Sequence, residues 1–182
     1  DSLFWLRHVV WDQRHVPEES PSVVIAIDEE TYLAEGFRDV PKVMWTKQFG
    51  PIVDGVREAG AAVIGFDIIL PTSVASEIPN YDRDLMLALR RAAKEYKIVL
   101  AKVQHQVKPV RPFPGHSFAV GHERNIRAVN LYGDADGTIR RVPLFLTAEN
   151  TDGTLRTETS LSLELAACVA GEAPSIDPEN GE

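Results

Sequence analysis

The chain has 182 residues, of which 44% are hydrophobic and 25% charged, with a formal net charge of −8. That length and balance suit one globular domain with a core, and an acidic chain without a basic block is a poor candidate for binding nucleic acid, which draws on phosphate neutralisation. A single cysteine, Cys168, excludes an internal disulfide and a multi-cysteine zinc site.

The acidic balance also argues against an anionic membrane surface as main partner. No apolar run reaches the ~18 residues that span a bilayer. The start, "DSLFWLRHVVWDQRH", is charged and broken rather than a signal peptide, and a chain beginning at Asp1 is expected to have lost its flanks.

Residues 3–16 place Leu3, Phe4, Leu6, Val9 and Val10 among Arg7, His8, Asp12 and Arg14, which predicts a short amphipathic helix. Pro17 and Pro21 break it. A first strand is expected over Val23–Ile27, buried on both faces because it lacks alternation, and it ends on Asp28. Residues 31–44 form a connector with Gly36 and Pro41.

A helix follows, with Trp45, Phe49, Ile52, Val53, Val56 and Ala59 on one stripe. Pro51 either kinks that helix or opens its regular part, and Gly60 is a good stop. The second strand, Val63–Leu70, carries Asp67 and is closed by Pro71. Strand, helix and strand of this length make a right-handed crossover with parallel strands. If the two strands are neighbours, Asp28 and Asp67 share the edge where open α/β sheets bind ligands.

The next helix takes its cap from Asp82 or Asp84 and repeats Leu85, Leu89, Ala92 and Tyr96; a third strand covers Ile98–Val103. Residues 104–125 contain Pro109, Pro112, Pro114, Gly115 and Gly121 and show no period, as functional or mobile segments do. "IRAVNLY" and "TIRRVPLFLTA" around "GDADG" read as an antiparallel hairpin. "ENTDGT" is a second turn, leading to a short strand near Leu155. A last helix holds Leu161, Leu165, Cys168 and Val169, with Gly171 at its end, and the tail 173–182 reads as disordered. The fold class is therefore α/β: three layers with a mostly parallel sheet (βαβαβ), extended by an antiparallel hairpin, with a terminal helix.

Several side chains are candidates for chemistry. Asp28, Glu29, Glu30 and Asp67 at one rim, with Asp82 or Asp84 nearby, would offer the converging oxygens that hard cations want. The plain alternative is structural: Asp28 opens an Asx-type turn, and Asp67 pairs with a base, since an unpaired carboxylate inside an apolar strand is costly. Asp134, Asp136 and Gly137 resemble the start of a calcium loop, yet Phe145 stands where that loop needs its twelfth-position glutamate, so a hairpin turn is expected.

The five histidines include no helical zinc pair; His105, His116 and His122 lie in or beside the irregular segment, where single ligand contacts remain open. Lys108, Arg111, Arg124, Arg127, Arg140 and Arg141 gather near that segment and are either receivers of a carboxylate or phosphate or simply solvated surface. "DEETYLAEG" replaces any glycine-rich phosphate loop after the first strand, and no Gly-x-Ser-x-Gly elbow occurs. Cys168 on its apolar helix reads as a buried inert thiol. No cofactor, metal or catalytic residue is expected.

Four segments carry a family resemblance: "WDQR", "VVIAIDEETY", "GPIVDGVREAGAAVIGFDIIL" and "NLYGDADGTIRRVPLFL". In order and spacing, over about residues 11–170, they resemble the second CHASE-type domain (cyclase/histidine-kinase-associated sensory extracellular), or CHASE-two. The family's tryptophan–proline motif before the helix ends in arginine; here Pro41 and Trp45 are kept and Lys47 is the nearest cation.

The resemblance implies an extracytoplasmic domain, periplasmic or at the cell surface, of a bacterial inner- or plasma-membrane receptor. Its output would be an adenylate or diguanylate cyclase or a histidine kinase, as in two-component systems. On that basis residues 1–20 are a juxtamembrane helix and break, 21–172 the sensor domain and 173–182 a tail. The partners implied are a small-molecule ligand, missing flanking membrane helices and a second copy in a homodimer. The candidate ligand contacts are Asp28, Glu29, Asp67, Asp82, His105, Arg111 and Arg140. The alternatives are a metal-assisted phosphatase or hydrolase on the acidic rim, and an assembly ectodomain that binds nothing small.

Overall fold

A computed structural model describes residues 22–95, 97–105, 108–149 and 153–172. The helix expected over residues 3–16 and the tail 173–182 lie outside the described residues. The chain forms two compact units, which divide between Arg38 and Asp39.

In the first unit, residues 22–28 lead into a short helix, α1 (Glu29–Leu33). Asp28 caps it: its carboxylate accepts from the Thr31 N–H at 3.0 Å and the Thr31 hydroxyl at 2.9 Å. The Thr31 hydroxyl accepts in turn from the Asp28 N–H at 3.3 Å, closing a reciprocal capping box. The strand expected over Val23–Ile27 is a correction: the segment has no strand partner among the described residues, and Val23 and Val24 are 89% and 87% exposed. Strand preference of β-branched residues is a fit to a half-buried pleated surface, and the described residues of this unit offer none.

The second unit starts with a short 3-10 turn (Lys42–Met44), followed by α2 (Thr46–Glu58). Trp45, Thr46, Phe49, Gly50 and Val53 are its buried stripe. The helix begins before Pro51, so the proline stands in its interior, where the missing N–H leaves the Lys47 carbonyl without its usual helical donor. β1 (Ile64–Phe66), α3 (Arg83–Lys94) and β2 (Ile98–Lys102) follow. Next come α4 (Pro114–Ala119), a 3-10 turn (His122–Asn125) and β3 (Ile126–Ala128). The three strands are parallel in the order β1-β2-β3, with Phe66 opposite Leu100 and Leu100 opposite Ile126.

All five residues of β2 are buried, as an unalternating central strand of a parallel sheet requires. Its side chains divide between two faces. Val99 and Ala101 pack with Leu161 and Leu165 of the terminal helix α5 (Leu161–Ala170). Leu100 turns to the other face, where Leu85 and Leu89 of α3 lie. The layers are therefore α2 and α3, then the sheet, then α5. Close approach of α2 and α3 depends on Gly50, because a Cβ there would stand 3.0 Å from the backbone carbon of Asp84 and the nitrogen of Leu85.

The antiparallel pair is β4 (Phe145–Glu149) with β5 (Leu155–Thr159), Phe145 opposite Thr159 and Glu149 opposite Leu155. The hairpin expected around Asp-Gly at 136–137 is thus corrected to the one around "ENTDGT". "IRA" instead joins the parallel sheet, burying Ile126 and Ala128 beside β2. The Asp134–Thr138 segment still closes a turn, with the Asp134 N–H on the Thr138 carbonyl at 2.9 Å. Core burial of Ile126 and Ala128 outweighs a solvent-exposed two-strand ribbon, which is marginal on its own. Ser160 caps α5, accepting from the Leu163 N–H at 3.3 Å, and Gly171 ends it with φ +73°. Among the described residues no helix is long and apolar enough to cross a membrane.

Candidate functional site

Two buried polar clusters lie on and beside the sheet. The first is centred on Asp82, just before α3, whose carboxylate is wholly buried. It accepts hydrogen bonds from the Thr46 hydroxyl of α2 at 2.6 Å and from the Ser73 hydroxyl. Ser73 Oγ itself accepts from the Ala75 N–H at 2.9 Å, which fixes the loop after β1. Nε2 of His116, on α4, stands 3.6 Å from Asp82 Oδ2. That nitrogen is buried and has no hydrogen-bond partner among the described residues.

Burial pushes the His116 pKa down, against the opposing pull of Asp82 and a hydrogen bond to the Leu70 carbonyl. The imidazole is therefore neutral at pH 7. Its ring borders a narrow apolar cleft between the sheet and α3, together with Phe66, Ile68, Leu70, Leu89 and Pro112. Serine, histidine and aspartate meet here, but the serine hydroxyl donates to the carboxylate rather than to the imidazole. Ser73 is therefore not hydrogen-bonded to the imidazole, and the three side chains are not arranged in the serine–histidine–aspartate order of a nucleophilic relay.

The second cluster surrounds Lys102, the last residue of β2, whose side chain is wholly buried. Its ammonium lies 3.0 Å from Glu123 Oε2 and 3.0 Å from Glu158 Oε2. The Arg111 guanidinium pairs with the other oxygen of Glu123 and donates to the Glu149 carbonyl. Arg156 reaches Glu158 at 3.4 Å. A buried ammonium requires such partners, since an isolated one would lose its proton.

The expected ligand contacts fall in different places. Asp28 caps α1, and its Thr31 bonds hold the carboxyl below the usual range. Glu29 is exposed in the first turn of that helix. Asp67 corrects the expectation of a paired carboxylate inside an apolar strand. β1 stops at Phe66, so Asp67 lies just outside the ladder and is exposed, where a carboxylate needs no buried partner.

Asp82 is buried in the first cluster and Arg111 belongs to the second. His105 is exposed after β2. Arg140 bonds Asp134 at 3.0 Å and Asp136 at 2.8 Å, and it draws the Asp136 pKa down to about 2. Among the described residues no strand covers Val23–Ile27, so the expected strand that would carry Asp28 to a sheet edge is not formed. Among the described residues no group of three His, Cys, Asp or Glu side chains is placed to hold a metal ion.

Sequence reading singled out neither Lys102 nor Glu123 and Glu158. The available signal was a lysine closing the apolar run "IVLAK", a cation that burial obliges to find carboxylates. Cys168 is half-buried against α5's apolar neighbours, and burial pushes its thiol up, away from the reactive range.

The family model of the CHASE2 domain matches residues 1–179, and the chain belongs to that family. CHASE2 domains are extracytoplasmic sensory domains. No curated protein and no solved structure matches the chain.

Proposed function

We propose that this chain is the outward-facing, non-catalytic sensing part of a bacterial transmembrane signalling receptor. Its output is a cytoplasmic adenylate or diguanylate cyclase or a histidine kinase, and the receptor works as a homodimer. The observation that carries this reading is the CHASE2 match over nearly the whole chain. The site geometry fits the non-catalytic part, because the buried Ser73 hydroxyl donates to Asp82 rather than to the His116 imidazole. Asp67 and His105 are exposed in the second unit and serve as contacts for a soluble ligand, while Asp82 and Arg111 act from within by holding loops.

The test uses the parent polypeptide in right-side-out membrane vesicles, with its output activity read inside. Changing the exterior solution alone is expected to change that activity, and deleting residues 39–172 is expected to abolish the response. An output that ignores the exterior, or that responds equally after the deletion, overturns the reading.

A further inference from the structure

The His116–Asp82 pair is a buried base facing a buried acid, sealed under a six-residue helix. Asp82 is the charged group that bears on the ring. α2 contributes the Thr46 hydroxyl, the loop after β1 contributes the Ser73 hydroxyl and the Leu70 carbonyl, and the cleft contributes Leu100 and Pro112, none of which titrates in the neutral range. We propose that this pair makes the domain responsive to external protons, with α4 as the element that moves. The proposal rests on the sensory reading above and names the stimulus for it.

The physical basis is the geometry. At neutral pH the imidazole is uncharged, and its orphan Nε2 sits 3.6 Å from Asp82, too far for a hydrogen bond. Asp82 cannot move closer without loosening the Thr46 and Ser73 hydroxyls that hold it. Protonation places a cation where no water reaches it, and burial already outweighs the attraction of Asp82 there. Acid therefore favours an arrangement in which α4 has withdrawn His116 into solvent. The two arrangements differ in proton affinity, which is the requirement for a proton to shift their populations.

α4 is built to move as one piece. Pro114 opens it, and Gly121 follows it with φ +82°. Gly121 leads directly into the turn bearing Glu123, the carboxylate shared by Lys102 and Arg111. Withdrawal of α4 thus pulls on a counter-ion of the buried Lys102 and carries the change to β2 and β5.

Hydrogen exchange of the 182-residue chain tests this at about pH 7.5 and about pH 5, on either side of the unperturbed histidine value. After correction for the intrinsic pH dependence, amides of residues 115–121 are expected to exchange about tenfold faster in acid. Residues 98–102 stay protected, which separates local release from global unfolding. His116→Gln is expected to remove the difference between the two pH values. Equal protection of α4 at both pH values in the unmodified chain overturns the proposal, as does an acid response that persists in His116→Gln. The unmodified chain decides the matter even if the variant folds poorly. The exchange experiment reads α4 and the vesicle experiment reads the output, so failure here rejects the proton as the stimulus and leaves the sensory reading standing, whereas failure there rejects the sensory reading itself.

Discussion

Lys102 and Glu158 form a buried ion pair between the two sheets, with the ammonium of β2 3.0 Å from the carboxylate of β5. The pair ties the antiparallel hairpin to the central parallel strand. Removing Lys102 leaves the buried Glu158 with only the exposed Arg156, at 3.4 Å, to offset its charge. Lys102→Met is therefore expected to destabilise the domain by about 3–5 kcal/mol, measured by urea unfolding. The double variant Lys102→Met/Glu158→Leu is expected to lose less than the single one, because no orphan charge remains. A Lys102→Met loss no larger than an exposed-surface change would show the pair to be idle.

Gly50 and Gly55 share α2 and are predicted to respond in opposite directions to alanine. At Gly50 a new Cβ meets the Asp84 and Leu85 backbone at 3.0 Å, and backbone does not step aside as a side-chain tip does. Gly50→Ala is expected to cost about 1–3 kcal/mol. At Gly55 nothing lies within 4 Å. Gly55→Ala is expected to stabilise by about 0.5–1 kcal/mol through helix propensity. Thermal melting of both variants checks the pair.

Acid should weaken the domain in two separate windows. The His116 pKa is lowered from 6.5 by burial, so the unfolded chain takes up a proton before the folded one does. Its contribution is complete above 6.5 and is lost as pH falls from there toward the lower folded value. The Asp54 pKa is lowered from 3.8, chiefly by its hydrogen bond with Arg91, so its contribution persists above 3.8 and is lost below it. Melting temperature against pH should accordingly fall in two steps, the first flattened by His116→Gln and the second by Asp54→Asn. Arg91 is largely exposed, so added salt should shrink the second step.

Asp82→Asn probes the first cluster from its acid side. The carboxylate takes two hydroxyl donors, and an amide can keep only one of them through its single oxygen. A loss of about 1–3 kcal/mol is expected. Asp82 also raises the His116 pKa against burial, so its removal should drive that value further down and move the first acid window lower. Following the His116 ring by NMR through a pH titration reads this directly; an upward displacement would contradict it.

The parallel core was legible where local pattern and burial agree. The runs around Ile64–Phe66 and Ile98–Lys102 became neighbouring strands, and the Trp45, Phe49, Val53 stripe became the buried face of α2. Gly171 ended the last helix as its freedom at positive φ suggests. Partner choice was not legible. "IRAVNLY" fits a hairpin and a parallel edge equally well in sequence, and only the core beside Leu100 decides for the latter.

The site was half legible for the same reason. Asp82 and Arg111 could be named as polar residues in interesting places, yet what they touch is distant in the chain. Asp82 meets Thr46, and Lys102 meets Glu158; no local spacing announces either contact.

The placement of the domain outside the cytoplasm is tested most directly by labelling. In the parent polypeptide, Cys168→Ala removes this domain's own thiol and Ser162→Cys puts one on the exposed start of α5, with the Cys168→Ala protein as the labelling background. A membrane-impermeant thiol reagent applied to intact spheroplasts is predicted to label that cysteine fully. Labelling that appears only after lysis would place the domain on the wrong side of the membrane and contradict the account.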